Sequence, residues 1–344
     1  MFGDRLRVRA NVRVLRFDPS EGTARYEMFS ADVEGGMTVL ELLQRIKDTQ
    51  DSSLTFRGAC RSSICGCCAL RVNGKAVLAC RTQALPALVD RWQHSIDIAP
   101  LRNLPVLRDL VVDVEPLLDR LARLHPYLIE DRHRVPETLE SEALVSQREA
   151  AAFERNTDCI LCGTCQSECS SAAVDDRYAG PMALAKAYRF SIDPRDAFDL
   201  PRMQAAQDHG LWLCAQCRKC VTVCPKDTRP AVAIQRLRRH AIDQGIRDTP
   251  GSRRAKAYTH DVVRLGQVNK PMLPVVVNGT RGWVAVEQED DYLRAHGVEP
   301  VREVRRLPGQ PWVAKLAQQV EELEAELAAE SRRESVRVTK GSRR

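Results

Sequence analysis

Residues 5 to about 100 alternate apolar and polar positions with period two in short runs, at Leu6 to Phe17, Arg25 to Ser30, Leu70 to Val72 and Ala76 to Leu78. That period puts one side of each run on a core and predicts strands. Asn73-Gly74 between the last two is a hairpin signal, because both residues tolerate the left-handed turn that joins twisted strands. One segment breaks the alternation. Over Thr38 through Lys47 the apolar residues Val39, Leu42, Leu43 and Ile46 fall at helical steps, and Thr38 with Glu41 three residues on forms a capping box. After Pro105 the spacing lengthens and predicts helices over Leu107 to Leu121, Ser141 to Asn156, Gly180 to Phe190, Pro201 to Gly210 and Arg229 to Gly245. The last hundred residues are expected to place short strands within Pro274 to Val286 and around Val301, about the turn signal Asn278-Gly279. A helix with a stripe at Val313, Leu316, Val320, Leu323 and Leu327 is expected to follow.

Composition adds limits. The 344 residues are 44% hydrophobic and 28% charged, enough for two domains and an extension. Apolar runs such as Met272 to Val277 are far too short to span a bilayer. The formal charge of +6 invites a nucleic-acid reading. Arg332, Arg333, Arg337, Lys340, Arg343 and Arg344 stand against only Glu334 in the tail, so the excess is local, and a solvated basic tail with no nucleic-acid partner is expected. The start MFGDRLRVRA has no apolar signal core, which predicts a cytoplasmic protein with reduced thiols.

The thirteen cysteines change the picture most. Cys159, Cys162, Cys165 and Cys169, then Cys214, Cys217, Cys220 and Cys224 before Pro225, each read C-x2-C-x2-C-x3-C. In that pattern three thiolates on a tight loop hold three irons of a cubane, while the fourth reaches the other cluster. The expected sets are Cys159, Cys162, Cys165 with Cys224, and Cys214, Cys217, Cys220 with Cys169. Structural zinc uses four ligands in two pairs and has no use for the third cysteine of each loop. Upstream, Cys60, Cys65 and Cys68 give C-x4-C-x2-C with Cys80 following, the plant-type [2Fe-2S] arrangement. Gly58 and Gly66 suit a backbone that curls around the cluster and directs N–H groups at its sulfurs. Cys67 is then a spare buried thiol or an alternative to Cys68. A small mixed sheet crossed by one helix and carrying such a loop is a β-grasp ferredoxin. The fold class is therefore α+β, with that domain at 1–103, an all-α bacterial-type two-cluster ferredoxin domain at 104–245 and an extension at 246–344.

Residues 5 to about 245 resemble the iron-sulfur subunit of succinate dehydrogenase and fumarate reductase. The likeness rests on GACRSSICGCCAL, on LPVLRDLVVD at Leu104 to Asp113, on CILCGTCQSEC, on GPMALAKAYRFSIDPRD at Gly180 to Asp196 and on the CPK of Cys224 to Lys226. It implies that Cys60, Cys65, Cys68 and Cys80 hold the [2Fe-2S] cluster nearest a flavin in a separate FAD-containing subunit, with the other clusters passing electrons toward a membrane anchor and its quinone. It also implies a place on the cytoplasmic face of the membrane through a partner.

Departures from the family pattern are specific. Most members lack a cysteine at position 217 and carry [3Fe-4S] on the positions of Cys169, Cys214 and Cys220. Cys217 restores the fourth ligand and favours a second [4Fe-4S]. Ser170, Ala173, Val174 and Ala215 stand where quinone-reducing members have a proline, a tryptophan pair and a histidine, so the usual quinone pocket is not written into this chain. An electron-transfer subunit of a thiol-linked fumarate reductase or heterodisulfide reductase-like complex is the alternative. No G-x-G-x-x-G or Walker loop is present, so no catalytic residue is expected on this chain. The histidines, among them His94, His125, His133 and His209, lack ligand spacing.

Overall fold

The computed structural model describes residues 7–89, 95–130, 143–270, 272–295 and 318. They fall into two units, Met1–Gln244 and Gly245–Arg344. In the first, strands β1 (Arg7–Phe17), β2 (Ala24–Glu34), β3 (Ala69–Val72), β4 (Lys75–Leu78) and β5 (Ser95–Ala99) form one mixed sheet in the order β2-β1-β5-β3-β4. β1 pairs antiparallel with β2 from Arg7 opposite Glu34 to Phe17 opposite Ala24, and parallel with β5. Alternation sets the register: Ala10, Val12 and Val14 of β1 and Phe29, Ala31 and Val33 of β2 are buried. Helix α1 (Val39–Thr49) starts at the expected Thr38–Glu41 capping box and buries Val39, Leu40, Leu42, Leu43 and Ile46. Each large apolar residue there contributes roughly 1.5–3 kcal/mol. Asn73 and Gly74 both take positive φ, +49° and +84°, in the turn from β3 to β4. A short helix α2 (Ala84–Val89) leads toward β5, a strand the period-two reading did not single out.

The helix expected over Leu107 to Leu121 is only half present. Strands β6 (Val106–Arg108) and β7 (Val111–Val112) fill its first part, and α3 (Glu115–Ala122) begins beside Pro116. The cause is Asp109, left-handed at φ 46° and 2% exposed. Its carboxylate accepts from Phe17 N at 3.1 Å, Thr55 N at 2.8 Å and Arg16 Nε at 3.0 Å, contacts that a helical residue would have to break.

Helices α4 (Gln147–Thr157), α5 (Thr164–Ser167), α6 (Ser170–Val174), α7 (Pro181–Ser191), α8 (Asp199–Asp208), α9 (Lys219–Thr222) and α10 (Pro230–Asp243) complete the unit, with a 3-10 turn at Leu211–Leu213. The Ser146–Glu149 capping box starts α4 later than Ser141. Arg202 of α8 is fully buried against Asp196 and donates to the carbonyls of His125 and Tyr127, both at 3.1 Å, so every charge it carries is met.

The second unit has its own small core of Ala257, Leu273 and Val277 beside Tyr258. Its described residues form α11 (Pro250–Leu265), α12 (Leu273–Asn278) and α13 (Thr280–Ala295). The strands expected within Pro274 to Val286 are therefore helices. Asn-Gly marks a reversal in either context, and here Gly279 caps α12 with φ 61° and ψ −135°. Gly282 then lets α13 meet α12 directly, since a Cβ there would lie 2.1 Å from Pro274 O. Among the described residues no helix is long and apolar enough to cross a membrane. The Val313 to Leu327 stripe, the Val301 segment and the basic tail lie outside the described residues.

Candidate metal centres

The first loop, between α1 and β3, curls because Arg61, Ser63 and Gly66 take φ of 55°, 60° and 74°. Alternation of left- and right-handed residues turns successive N–H groups inward to form an anion-holding concavity. The N–H groups of Ser62, Ile64 and Cys65 donate to Cys60 Sγ at 3.4, 3.3 and 3.3 Å, and Ser63 N donates to Cys80 Sγ at 3.3 Å. Backbone N–H groups of Cys60 and Cys67 hold the exposed Cys65 thiol down at about 6. Burial pushes Cys68, at the start of β3, up to about 12. Cys67 is half-buried and its sulfur lies 3.2 Å from Cys65 Sγ, next to a predicted ligand. Gly58 lies close against Leu40, whose Cδ1 would be 2.9 Å from a Cβ there.

The helical half builds the same device twice. Leu161 and Gly163 (φ 55° and 77°) follow Cys159, and Gln216 and Arg218 (φ 55° and 60°) follow Cys214. Each second residue caps a one-turn helix, α5 or α9, that carries the third cysteine. Cys169 caps α6 and Cys224 follows α9, so each fourth cysteine leaves its own loop.

One cavity is lined by Cys159, Cys162, Cys165 and Cys224, together with Thr164, Met182, Ala185, Thr228 and Pro230. It thus joins three thiols of the first run to the last of the second. Thr164 Oγ1 lies 3.3 Å from Cys162 Sγ and Thr228 Oγ1 3.2 Å from Cys224 Sγ, while Thr228 N donates to Cys224 Sγ at 3.4 Å. Cys169, Cys217 and Cys220 interact electrostatically with one another or with Cys214 in the remaining group. Gln216 Nε2 points at Cys214 Sγ from 3.6 Å. Burial raises Cys159, Cys162, Cys165 and Cys169, and takes Cys220 to about 12.

Those thiols stay protonated unless a metal displaces the proton. Clustered buried sulfurs with hydroxyl and N–H donors around them fit soft iron-sulfur groups. Cys159, Cys162 and Cys165 line the cavity with Cys224, and among the described residues no three His, Cys, Asp or Glu side chains converge on a single ion. Tyr178, with no exposed surface, faces Cys214, Cys169 and Cys220, and among the described residues its hydroxyl has no hydrogen-bond partner of good geometry.

The three loops meet in series. A Cβ on Gly66 would come within 2.9 Å of Cys162 Cβ and 3.0 Å of Ile160 O, so only glycine lets the first two loops touch. Arg81 Nη1, next to Cys80, donates to Pro225 O at 2.7 Å, next to Cys224. Asn103 Nδ2 donates to the carbonyls of Gln166 at 2.9 Å and Cys169 at 3.0 Å. Cys165 senses Cys220 across to the third group. Cysteine spacing carried no signal for Thr164, Thr228, Tyr178, Arg81 or Asn103, which act through space.

Comparison with known proteins agrees with this layout. Residues 11–119 match the 2Fe-2S iron-sulfur cluster binding domain and residues 155–228 the 4Fe-4S dicluster domain. The iron-sulfur subunit of 8-methylmenaquinol:fumarate reductase from Wolinella succinogenes is 33% identical, over 83% of this chain and 90% of its own. The succinate dehydrogenase iron-sulfur subunit of Coxiella burnetii is 33% identical over 67% of this chain and 96% of its own. A subunit of the fumarate reductase (CoM/CoB) of Methanothermobacter marburgensis is 33% identical over 74% of this chain, which spans about half (49%) of that protein. Among solved structures, a chain of the Mycobacterium smegmatis Sdh1 complex in the apo form aligns with a TM-score of 0.62 at 26% identity, covering 69% of this chain and 97% of that one. A sheet domain with a [2Fe-2S] loop, a helical domain with a [4Fe-4S] site and relatives matched along most of their length together place this electron-transfer chain in the family of succinate dehydrogenase and fumarate reductase iron-sulfur subunits.

Proposed function

We propose that the chain relays electrons between an FAD-containing flavoprotein subunit, where succinate and fumarate interconvert, and an acceptor beyond its far end. The ligands in this reading are Cys60, Cys65, Cys68 and Cys80 for [2Fe-2S], then Cys159, Cys162, Cys165 and Cys224 for [4Fe-4S]. Cys169, Cys214, Cys217 and Cys220 hold the distal group, a second [4Fe-4S]. The clusters supply one-electron carriers, and the chain supplies thiolates, N–H donors and close approach. The observation that supports this most is the cavity combining Cys159, Cys162 and Cys165 with Cys224, from the other run. We read residues 1–103 as a β-grasp domain, 104–245 as the dicluster domain and 246–344 as an extension, and we read the protein as held at the cytoplasmic face by a membrane-anchor or other electron-accepting subunit.

A second reading of the acceptor rests on Cys217 and on the residues at 170, 173, 174 and 215. The shares aligned with the Wolinella and Methanothermobacter proteins, 83% and 74%, exceed what residues 1–244 alone supply. The 67% aligned with the Coxiella protein does not. The extension is thus shared both with a relative named for a quinol and with one named for CoM/CoB, and it is Cys217 with the absence of the usual quinone-pocket residues that favours an acceptor side like that of a thiol-linked complex.

The test is anaerobic purification of the chain with its native partners. About ten irons per chain with EPR signals of one [2Fe-2S] and two cubane clusters are expected. Stoichiometric zinc would overturn the reading. Succinate-dependent dye reduction is expected from the complex and not from this chain alone, and activity of the isolated chain would refute the relay assignment. A co-purifying small membrane anchor supports the quinone acceptor, and a cysteine-rich subunit of the CCG type supports the thiol acceptor.

A further inference from the structure

The least explained polar atom near the cysteines is the hydroxyl of Tyr178. Its residue has no exposed surface, and among the described residues the hydroxyl finds no partner of good hydrogen-bond geometry. A buried unpaired hydroxyl costs stability, so its retention calls for an acceptor that becomes a good one only when the site is filled. The groups it faces are the sulfurs of Cys214, Cys169 and Cys220, Cys214 foremost.

The backbone fixes this placement. Tyr178 N donates to Asp175 O at 3.2 Å, and Ala179 N donates to His209 O at 2.9 Å. Gly210, left-handed at φ 82°, leaves no Cβ between the two segments, since one would lie 3.0 Å from Tyr178 Cα and 3.3 Å from Arg177 O. The segment 177–179 therefore lies directly on the turn leading through Leu211–Leu213 to Cys214. On the other side Arg238 donates to Leu211 O at 3.0 Å and Cys214 O at 2.9 Å, so the cysteine is held from both sides.

We propose that the Tyr178 hydroxyl donates a hydrogen bond to the thiolate of Cys214 when the distal cluster is bound, and thereby raises that cluster's reduction potential. This rests on the ligand set Cys169, Cys214, Cys217 and Cys220 given above. The physical reason is charge. A donor at a ligand sulfur draws density from the cluster and stabilises its more negative, reduced form. Gln216 Nε2 approaches the same sulfur from 3.6 Å as a weaker donor, and the backbone N–H groups of Ala172 and Ser171 serve Cys169, that of Ala231 serving Cys220. Tyr178 differs in being fully buried, where a hydrogen bond is not shared with water. It acts on the cluster's potential and touches no substrate, so it is a positioning and tuning residue.

The test is Tyr178→Phe in the full complex, which keeps the ring and removes the oxygen. Potentiometric titration followed by EPR is expected to show the distal midpoint lowered, the other two midpoints unmoved and the iron content unchanged. In unmodified protein moved into deuterated buffer, the distal signal is expected to lose one exchangeable-proton coupling that the Phe variant lacks from the start. An unshifted distal midpoint at full iron content, or an unmodified protein without that coupling, overturns the proposal. Loss of the distal irons in Tyr178→Phe would make the hydroxyl structural and also overturn it. Absence of distal iron in the unmodified complex would instead remove the ligand assignment on which it stands.

Discussion

The loops at 159–165 and 214–220 share cysteine spacing, two left-handed residues each and a one-turn helix, yet their surroundings differ. The first packs under the sheet domain: a Cβ on Gly163 would touch Leu101 Cδ1 and Leu117 Cδ2, both at 3.4 Å, and Gly66 lies against Cys162. The second has Arg218 where the first has Gly163, and Cys217 is exposed. Tyr178 and Arg238 close its back. Spacing makes both loops cysteine cradles, whereas, among the described residues, neighbouring elements cover the first and leave Cys217 of the second exposed.

The sharpest way to break this comparison is to remove one thiol from each loop. Cys162→Ser is expected to lose the interior cluster, about four irons per chain, and to lower electron transfer through the chain more than about 100-fold. Cys217→Ser should lose only the iron it holds, create the oxidised-state EPR signal of [3Fe-4S] and raise the distal potential. Iron analysis and EPR on anaerobic protein decide it. A full three-iron signal in unmodified protein, unchanged by the substitution, would make Cys217 a bystander and the conventional cluster set correct.

A smaller effect probes the two left-handed positions. Gly163→Ala puts a side chain on a positive φ against packed leucines and is expected to destabilise the chain by about 1–2 kcal/mol. Arg218→Gly relieves the same conformation in solvent and should change stability by at most about 1 kcal/mol, in the stabilising direction. Anaerobic denaturant unfolding measures both. Equal responses would mean that the surroundings do not distinguish the loops.

The smallest effect is a pH dependence confined to the open side. His240 of α10, the helix that also carries Arg238, lies 2.7 Å from Asp199 Oδ2 through Nε2. The hydrogen bond to Asp199 outweighs partial burial and raises the His240 pKa above 6.5. The sign follows: the folded form holds the proton more tightly, so this stabilisation is full below about 6.5 and is lost as pH rises through the raised value. A partly exposed pair of this kind contributes at most about 1 kcal/mol. Amide exchange in α8, α10 and the 211–214 turn is expected to quicken on that rise, with residues 159–165 unaffected, and His240→Gln should abolish the dependence. Asp193 marks the opposite arm. Burial alone would push its carboxyl up, but Arg195 and Arg189 hold it at about 2, so its contribution is present above about 3.8 and lost as pH falls through 2.

Much of this was legible because it is local. The Thr38–Glu41 cap, the Asn73-Gly74 turn and the helices near 181–191, 199–208 and 230–243 follow from neighbours in sequence, and the structure has them where expected. Misreadings came where distant partners decide. Leu107 to Val112 has helical apolar spacing, but Asp109 is claimed by Phe17, Thr55 and Arg16 from other elements. Asn278-Gly279 signals a reversal without saying between what, and Val275 to Val277, strand-like by composition, are helical against α11.

Cysteine order and spacing by themselves determined the class of chemistry, because ligation of iron by thiolate depends on a few residues held within one loop, and the family needed the resemblance of segments such as LPVLRDLVVD and GPMALAKAYRFSIDPRD as well. Order and spacing also led to the expectation that the fourth cysteines cross, since each stands four residues beyond the third, outside the loop that holds the other three. Tertiary structure alone decided that Gly66 meets Cys162, that Arg81 reaches Pro225, that Tyr178 faces Cys214 and that Cys217 is exposed while Cys165 is not. These pairs are separated by up to 144 residues, and a pattern read along the chain carries no measure of distance across it. What tunes and connects the carriers is therefore set by packing, while what binds them is set by sequence.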